Sequence, residues 1–153
     1  MANTYTQFNV HAIFTVKGRE NLITSHFSSD LHKYIAGITN NTKNFSLAVN
    51  GYKDHVHTFF ELHPTNSVSD VLEVVKTNSS KWINENKFVR GHFNWQKGYG
   101  AFSYSRSQRD TVIKYIINQE KHHSKMTFRE EYLELLKKFQ IPFDERYLFE
   151  FYE

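Results

Sequence analysis

The apolar residues of this chain change their period repeatedly along its length, and the order of those changes restricts what it can fold into. Residues 8–16 alternate. Phe8, Val10, Ala12, Phe14 and Val16 share one face of an extended strand, and Asn9, His11 and Thr15 share the other. Lys17-Gly18-Arg19 breaks that strand. Helical spacing follows at Leu31, Tyr34, Ile35 and Ile38, with Ser28 or Ser29 as the expected cap. A short strand over 45–49, the turn signal Asn50-Gly51 and a third strand over 55–62 come next, ended by Pro64. Ser67 opens a helix with an apolar stripe from Val68 to Ile83, and 101–105 reads as a fourth strand. Ser107 is the expected cap of a helix running to about Lys125. Thr127 and Glu130 have the spacing of a capping box for a last helix, and Pro142 ends its pattern. Residues 147–151 alternate weakly, as an edge strand or an extended arm.

Strand, helix, strand, strand, helix, strand, helix is the split βαβ order, so the expected fold class is α+β. It is a ferredoxin-like antiparallel sheet with helices on its faces and an appended helix. In that topology the first and third strands are central neighbours, which brings Asn9 and His11 beside His55 and His57. The 153 residues suit a single domain, 1–153, with a core over about 5–125 and a C-terminal extension over about 126–153. There is no cysteine, so disulfides and thiolate metal sites are excluded. No apolar run of membrane-spanning length and no signal-peptide pattern is present, and a cytoplasmic protein is expected.

Charge is uneven. Residues 76–125 hold 10 Lys/Arg against 3 Asp/Glu, a balance of +7, whereas 126–153 hold 4 against 7. The middle of the chain is therefore the candidate polyanion surface, and the acidic tail stands apart from it.

Two constellations carry chemistry. The first is Asp54-His55-Val56-His57 on the third strand. Residues two apart share a face roughly 6.6 Å apart, so both imidazoles can converge on one cation. The second is Tyr115-Ile116-Ile117-Asn118-Gln119 on the helix after Ser107, where Tyr115, Gln119 and His122 fall in one stripe beside a buried stripe of Ile113, Ile116 and Ile117. A phenol with a free pKa of about 10 is a weak nucleophile. Attack on a phosphodiester by it needs a cation at the nonbridging oxygens and an in-line geometry. Two imidazoles and an amide oxygen close to the tyrosine would supply both. Each residue also has a plainer reading: strand histidines, a tyrosine at the rim of the core, a surface glutamine.

His55-Val56-His57 followed by Tyr115 and Gln119 resembles the HUH and single-tyrosine motifs of the insertion-sequence-200-like transposases. Asn3-Thr4-Tyr5, Gly51 and Trp95-Gln96-Lys97-Gly98-Tyr99-Gly100 are also similar to that family, and Lys53 departs from it where proline is usual. The resemblance implies a transposase that cleaves and rejoins single-stranded DNA at hairpin-marked ends through a 5′-phosphotyrosine. It implies Mg²⁺ or Mn²⁺ held by His55, His57 and Gln119, with Tyr115 as the nucleophile. It implies a homodimer in which the tyrosine helix of one subunit can complete the metal site of the other. Asp54 and His122 are candidate supporting groups, orienting an imidazole or moving a proton. Lys81, Lys87, Arg90, Lys97, Arg106 and Arg109 are candidate phosphate contacts, and Tyr99, Trp95 and Tyr104 are candidates for base stacking. His11 is a candidate DNA-facing residue or a packed polar one. The rival functions are a domesticated hairpin endonuclease and a noncatalytic nucleic-acid-binding module.

Overall fold

The alternating segment at the start of the chain becomes strand β1 (Asn9–Thr15), and every one of its residues is buried. That is possible only for a central strand covered on both faces. The computed structural model describes residues 3–18 and 22–152. Arg19, expected in the break after β1, lies outside them. The further elements are α1 (Ser28–Asn41), β2 (Phe45–Gly51), β3 (His55–Glu61), α2 (Val68–Glu85), β4 (Gly100–Tyr104), α3 (Arg109–Ile117), α4 (Gln119–His123) and α5 (Phe128–Lys138). The four strands form one antiparallel sheet in the order β2-β3-β1-β4, so the α+β, split βαβ expectation holds.

One face of the sheet packs Val10, Ala12, Phe14, Val56 and Phe60 against α1 and α2. On the other face, Ile13 and Phe102 meet Phe128, Tyr132 and Leu136 of α5, and Phe59 meets Val112 and Ile116 of α3. The register places Thr15 opposite His55, Ile13 opposite His57 and His11 opposite Phe59. The polar residues of β1 therefore lie beside the histidines of β3 on the α3–α5 face.

Two of the expected caps form. Ser67 accepts from the Asp70 amide at 3.0 Å, and Thr127 accepts from the Glu130 amide at 3.2 Å. Two others do not. Ser28 already lies inside α1, whose cap position is Phe27 without a side-chain bond. Ser107 lies inside a short 3-10 turn, Arg106–Gln108, that Ser105 caps. The helix expected to run to Lys125 is broken at Asn118. Asn50 Nδ2, from β2, donates to the carbonyls of Ile116 (3.0 Å) and Ile117 (2.8 Å), and a side chain inserted at a helix end in this way redirects the axis. Ile117, expected in a buried stripe, is 60% exposed. The tail is an extended arm, not a strand. It is anchored where Gln96 exchanges two 2.8 Å bonds with the backbone of Glu150.

His32 of α1 has a mostly enclosed ring with no partner for Nε2, and burial pushes its imidazole down to about 4. The folded value lies below the unfolded one, so the unfolded chain takes the proton first. This contribution to stability is complete above about pH 6.5 and is lost as pH falls toward 4, by about 3 kcal/mol in all. Urea midpoints measured across that window should fall less steeply for His32→Asn than for the wild type. Parallel curves would refute the assignment.

Candidate active site

His55 and His57 point to the same face of β3, as residues two apart must, and both are fully buried. The elements that bury them are α4 and α5. Each ring is held from behind. His55 Nδ1 lies 2.6 Å from Asp54 Oδ1, and His57 Nδ1 lies 2.7 Å from His11 Nε2. The opposite nitrogens, both Nε2, face inward. His55 Nε2 is 3.1 Å from Gln119 Oε1, so the glutamine expected to join the histidines does so. Asn118 leaves Gln119 as the first residue of α4, fully buried and aimed at β3.

Two further groups enter the same space, and neither was singled out as a ligand in the sequence. His123 Nε2 lies 3.0 Å from Gln119 Oε1 and 3.0 Å from Glu131 Oε1. Glu131 is on α5, inside the acidic C-terminal extension. Its Oε1 lies 3.1 Å from His57 Nε2 and 3.4 Å from His55 Nε2. Its Oε2 accepts from Gln119 Nε2 at 3.0 Å and from the Tyr115 hydroxyl. The one signal that pointed this way was the Thr127 capping box. It fixes where α5 begins, and Glu131 then falls on the same side as Phe128, Tyr132 and Leu135. A charged residue on an apolar helix face requires a partner.

His122 Nε2 is 3.3 Å from Glu131 Oε2 without hydrogen-bond alignment, and its ring stands edge-on to Tyr115 with centroids 5.3 Å apart. A cleft of about 480 Å³ opens on this side, with Tyr115, His122 and Glu131 on its wall together with Tyr104, Thr111 and Lys138. The phenol thus faces both the buried cluster and open space large enough for a nucleotide.

Burial opposes charge throughout the cluster. At His55, the hydrogen bonds and charges of Asp54 and Glu131 outweigh burial and lift the imidazole to about 9. At His57 and His11, burial prevails and both are lowered. Burial would raise Glu131, but the charge of His57 and the hydrogen bonds of His123, His55 and His57 hold it far below the usual carboxylate range. Since His57 is itself held toward its neutral form, the hydrogen bonds and the His55 imidazolium are the firmer causes. Burial, and then the negative charge of Glu131, push the Tyr115 phenol above its ordinary value.

The donors fit a divalent cation. One ligand atom each from His55, His57, His123 and Glu131 lie within 4.8 Å of one another, and the amide oxygen of Gln119 faces the same point. Imidazole, carboxylate and amide oxygen together suit Mn²⁺ or Mg²⁺ better than a thiophilic metal.

Other expected residues fall elsewhere. Lys81, Lys87, Arg90, Lys97 and Arg106 are exposed, as is Tyr99. Lys81 lies 3.8 Å from Glu85 in a solvent-exposed pair. Arg109 is not a free phosphate contact, because its guanidinium donates to Glu61 at 2.6 Å and to Asn9 at 2.9 Å. His11 does not face DNA; it is fully buried behind His57, the packed alternative. Trp95 is core, donating to Ser79 Oγ at 3.0 Å and packed on Phe14 and Phe93. Tyr104 is half-buried against Phe139.

Gly51 makes the approach to the site possible. It pairs with Val56, and a Cβ there would overlap the His55 carbonyl oxygen. Since that obstacle is backbone, Gly51→Ala must displace the start of β3. We expect a loss of about 1–3 kcal/mol in chemical denaturation, and weaker cation binding because His55 moves with the strand. Unchanged stability would mean that the turn relaxes freely.

A family model described as "Transposase IS200 like" matches residues 4–119. Among solved structures, a candidate transposase from Deinococcus radiodurans R1 is 18% identical, with a TM-score of 0.62 over 78% of this chain and 95% of that one. A REP-associated tyrosine transposase bound to a REP hairpin is 16% identical, with a TM-score of 0.57 over 80% of this chain and 73% of that one. At these identities the likeness is one of fold. No curated protein matches the chain. Among the described residues no helix is long and apolar enough to cross a membrane.

Proposed function

The chain belongs to the IS200-like transposase family, and from that premise we propose that it cuts and rejoins single-stranded DNA at hairpin-marked ends with Tyr115 as the nucleophile. One observation carries the reading: the Tyr115 hydroxyl and the inward-facing nitrogens of His55 and His57 converge on one carboxylate, Glu131, in a single chain. A nucleophile and a cation-binding set are thus brought to one point beside an open cleft.

His55, His57 and Gln119 would hold Mg²⁺ or Mn²⁺. When bound, the cation supplies charge neutralisation at the nonbridging phosphate oxygens and a local positive charge that favours the phenolate. The phenol oxygen of Tyr115 bonds to phosphorus as the bond from phosphorus to the 3′ oxygen breaks. The phenolic proton, donated to Glu131 as a hydrogen bond in the resting site, ends on the released 3′ oxygen and makes it a hydroxyl. The product is a 5′-phosphotyrosine, which another 3′ hydroxyl can reverse without ATP. Asp54 and His11 orient the two ligand imidazoles from behind, contacts of a kind worth ~10–100-fold in affinity elsewhere. His122, edge-on to the phenol, is placed to steady it or to meet the phosphate.

The exposed cations Lys81, Lys87, Arg90, Lys97 and Arg106, with Tyr99, form the proposed strand-binding surface. The hairpin bound by the REP-associated relative supports a hairpin-bearing substrate here. Tyr115 reaches the histidines within one chain, so the site can assemble in cis. In a homodimer, exchange of the tyrosine helix between subunits would bring together the same groups in trans.

The test is covalent capture. The chain, Mn²⁺ and hairpin-bearing single strands from its own genomic flanks should give a denaturant-resistant adduct carrying the 3′-labelled fragment. The 5′-labelled fragment should leave with a free 3′ hydroxyl. If no such strand is ever captured, the catalytic reading is wrong.

A further inference from the structure

The family match ends at residue 119, yet two of the four clustered donors, His123 and Glu131, lie beyond it. They come from the α4–α5 segment, and their side chains are each only 2% exposed. Burying an imidazole and a carboxylate beside two more imidazoles costs desolvation that an apolar contact would avoid. A purely structural ion-pair network is the plainer account of such a cluster; the convergence of four ligand atoms within 4.8 Å of one another is what points to a cation instead.

Each ring has an outward nitrogen. His123 Nδ1 lies 2.8 Å from the Met126 carbonyl oxygen, and His55 Nδ1 lies 2.6 Å from Asp54 Oδ1. Both of those partners can only accept, so both Nδ1 atoms carry their protons outward. In the neutral ring that leaves the lone pair on Nε2, pointing inward. There the lone pairs meet other acceptors. His55 and His123 both face Gln119 Oε1, at 3.1 and 3.0 Å. Both also face Glu131 Oε1, at 3.4 and 3.0 Å. Gln119 cannot relieve this by turning its amide, because its Nε2 is engaged by Glu131 Oε2 at 3.0 Å. Acceptors converging in this way are stabilised by something positive between them: in the cation-free chain a proton on His55 Nε2, and a bound cation where it displaces that proton.

We propose that the α4–α5 segment supplies two further ligands, His123 Nε2 and Glu131 Oε1, to the cation held by His55, His57 and Gln119. The proposal rests on the metal-dependent reading above and extends it to residues outside the family's matched region. Its chemical consequences are specific. A third imidazole biases the site toward Mn²⁺ over Mg²⁺. The carboxylate then bridges two tasks, with Oε1 on the cation and Oε2 holding the Tyr115 hydroxyl. Cation binding also ties α5 to β3, so the extension becomes part of the site and not an appendage.

The test uses the full chain. Calorimetric titration with Mn²⁺ should give one ion per chain, bound more tightly than Mg²⁺. Glu131→Gln and His123→Asn should each weaken Mn²⁺ binding about tenfold or more, whereas Glu134→Gln, on the exposed side of the same helix, should not. Because either substitution can disturb packing, the wild type provides a second readout. Electron spin-echo modulation of bound Mn²⁺ on chain labelled with ¹⁵N-histidine should report three imidazole nitrogens. Two imidazoles, or wild-type affinity in both variants, would overturn this inference while leaving the His55–His57 site intact. Failure of the wild type to bind Mn²⁺, or full binding by His57→Ala, would bring down the metal-dependent reading and this inference with it.

Discussion

Tyr115→Phe will abolish covalent capture of DNA while leaving strand binding close to the wild-type level. The substitution removes one oxygen, and that oxygen is the only group on α3 that both faces the cleft and touches the buried cluster. Without it no tyrosyl phosphodiester can form. Cleavage should fall to background, a loss on the order of 10⁴-fold or more, as when a nucleophile is deleted from an assembled site. The fold should survive. Glu131 keeps its bond from Gln119 and its contacts to three imidazoles, and the Phe ring fills the same space. Loss of the one hydrogen bond should lower stability by about 1–3 kcal/mol. Denaturing gels with 3′-labelled hairpin strands measure the adduct, and gel shifts at fixed salt measure binding. An adduct that persists in the variant would show that another side chain attacks, and the assignment of Tyr115 would be lost.

His57→Ala should abolish both cleavage and the response of stability to Mn²⁺. In the wild type, a ligand that binds only the folded chain adds about 2.7 kcal/mol when its concentration reaches a hundred times its dissociation constant. Removing an imidazole that faces the cluster should erase most of that gain. The cation-free chain should suffer too. His57 is fully buried between His11 and Glu131, so truncation leaves a cavity and strips a partner from both. A loss of about 2–4 kcal/mol is expected. Thermal unfolding with and without Mn²⁺ separates the two effects: the cation-free midpoint drops, and the Mn²⁺-induced rise disappears. If the rise survives in the variant, His57 is not a ligand.

Much of this site is written locally. His55 and His57 share a face because strand side chains alternate, and the four-residue spacing of Tyr115 and Gln119 marks them as a pair. Those two patterns single out four of the six groups at the centre, although Tyr115 ends up on α3 and Gln119 on α4, across the break at Asn118. The other two, His123 and Glu131, escaped because nothing local marks them. His123 looked like any histidine near a helix end, and Glu131 sat among the acids of a segment whose net charge argued against a role with DNA. The surface residues show the same limit. Arg109 and Lys97 look alike in the chain, but one is tied to Glu61 and the other is exposed.

The sequence by itself determined the four strands, the two helices of the split βαβ order and the strand that carries His55 and His57. Hydrophobic period is a property of a dozen consecutive residues, and split βαβ order then leaves few ways to form a sheet. Only the tertiary structure decided which groups meet. The break at Asn118 depends on Asn50, from a strand that packs against it. The burial of His11 depends on α3 and α5 covering β1. The place of Glu131 among three imidazoles depends on α5 folding back across the sheet, so that residues 74 and 8 positions apart from it approach the same oxygen. Such contacts arise from packing between distant elements, and no local period encodes them.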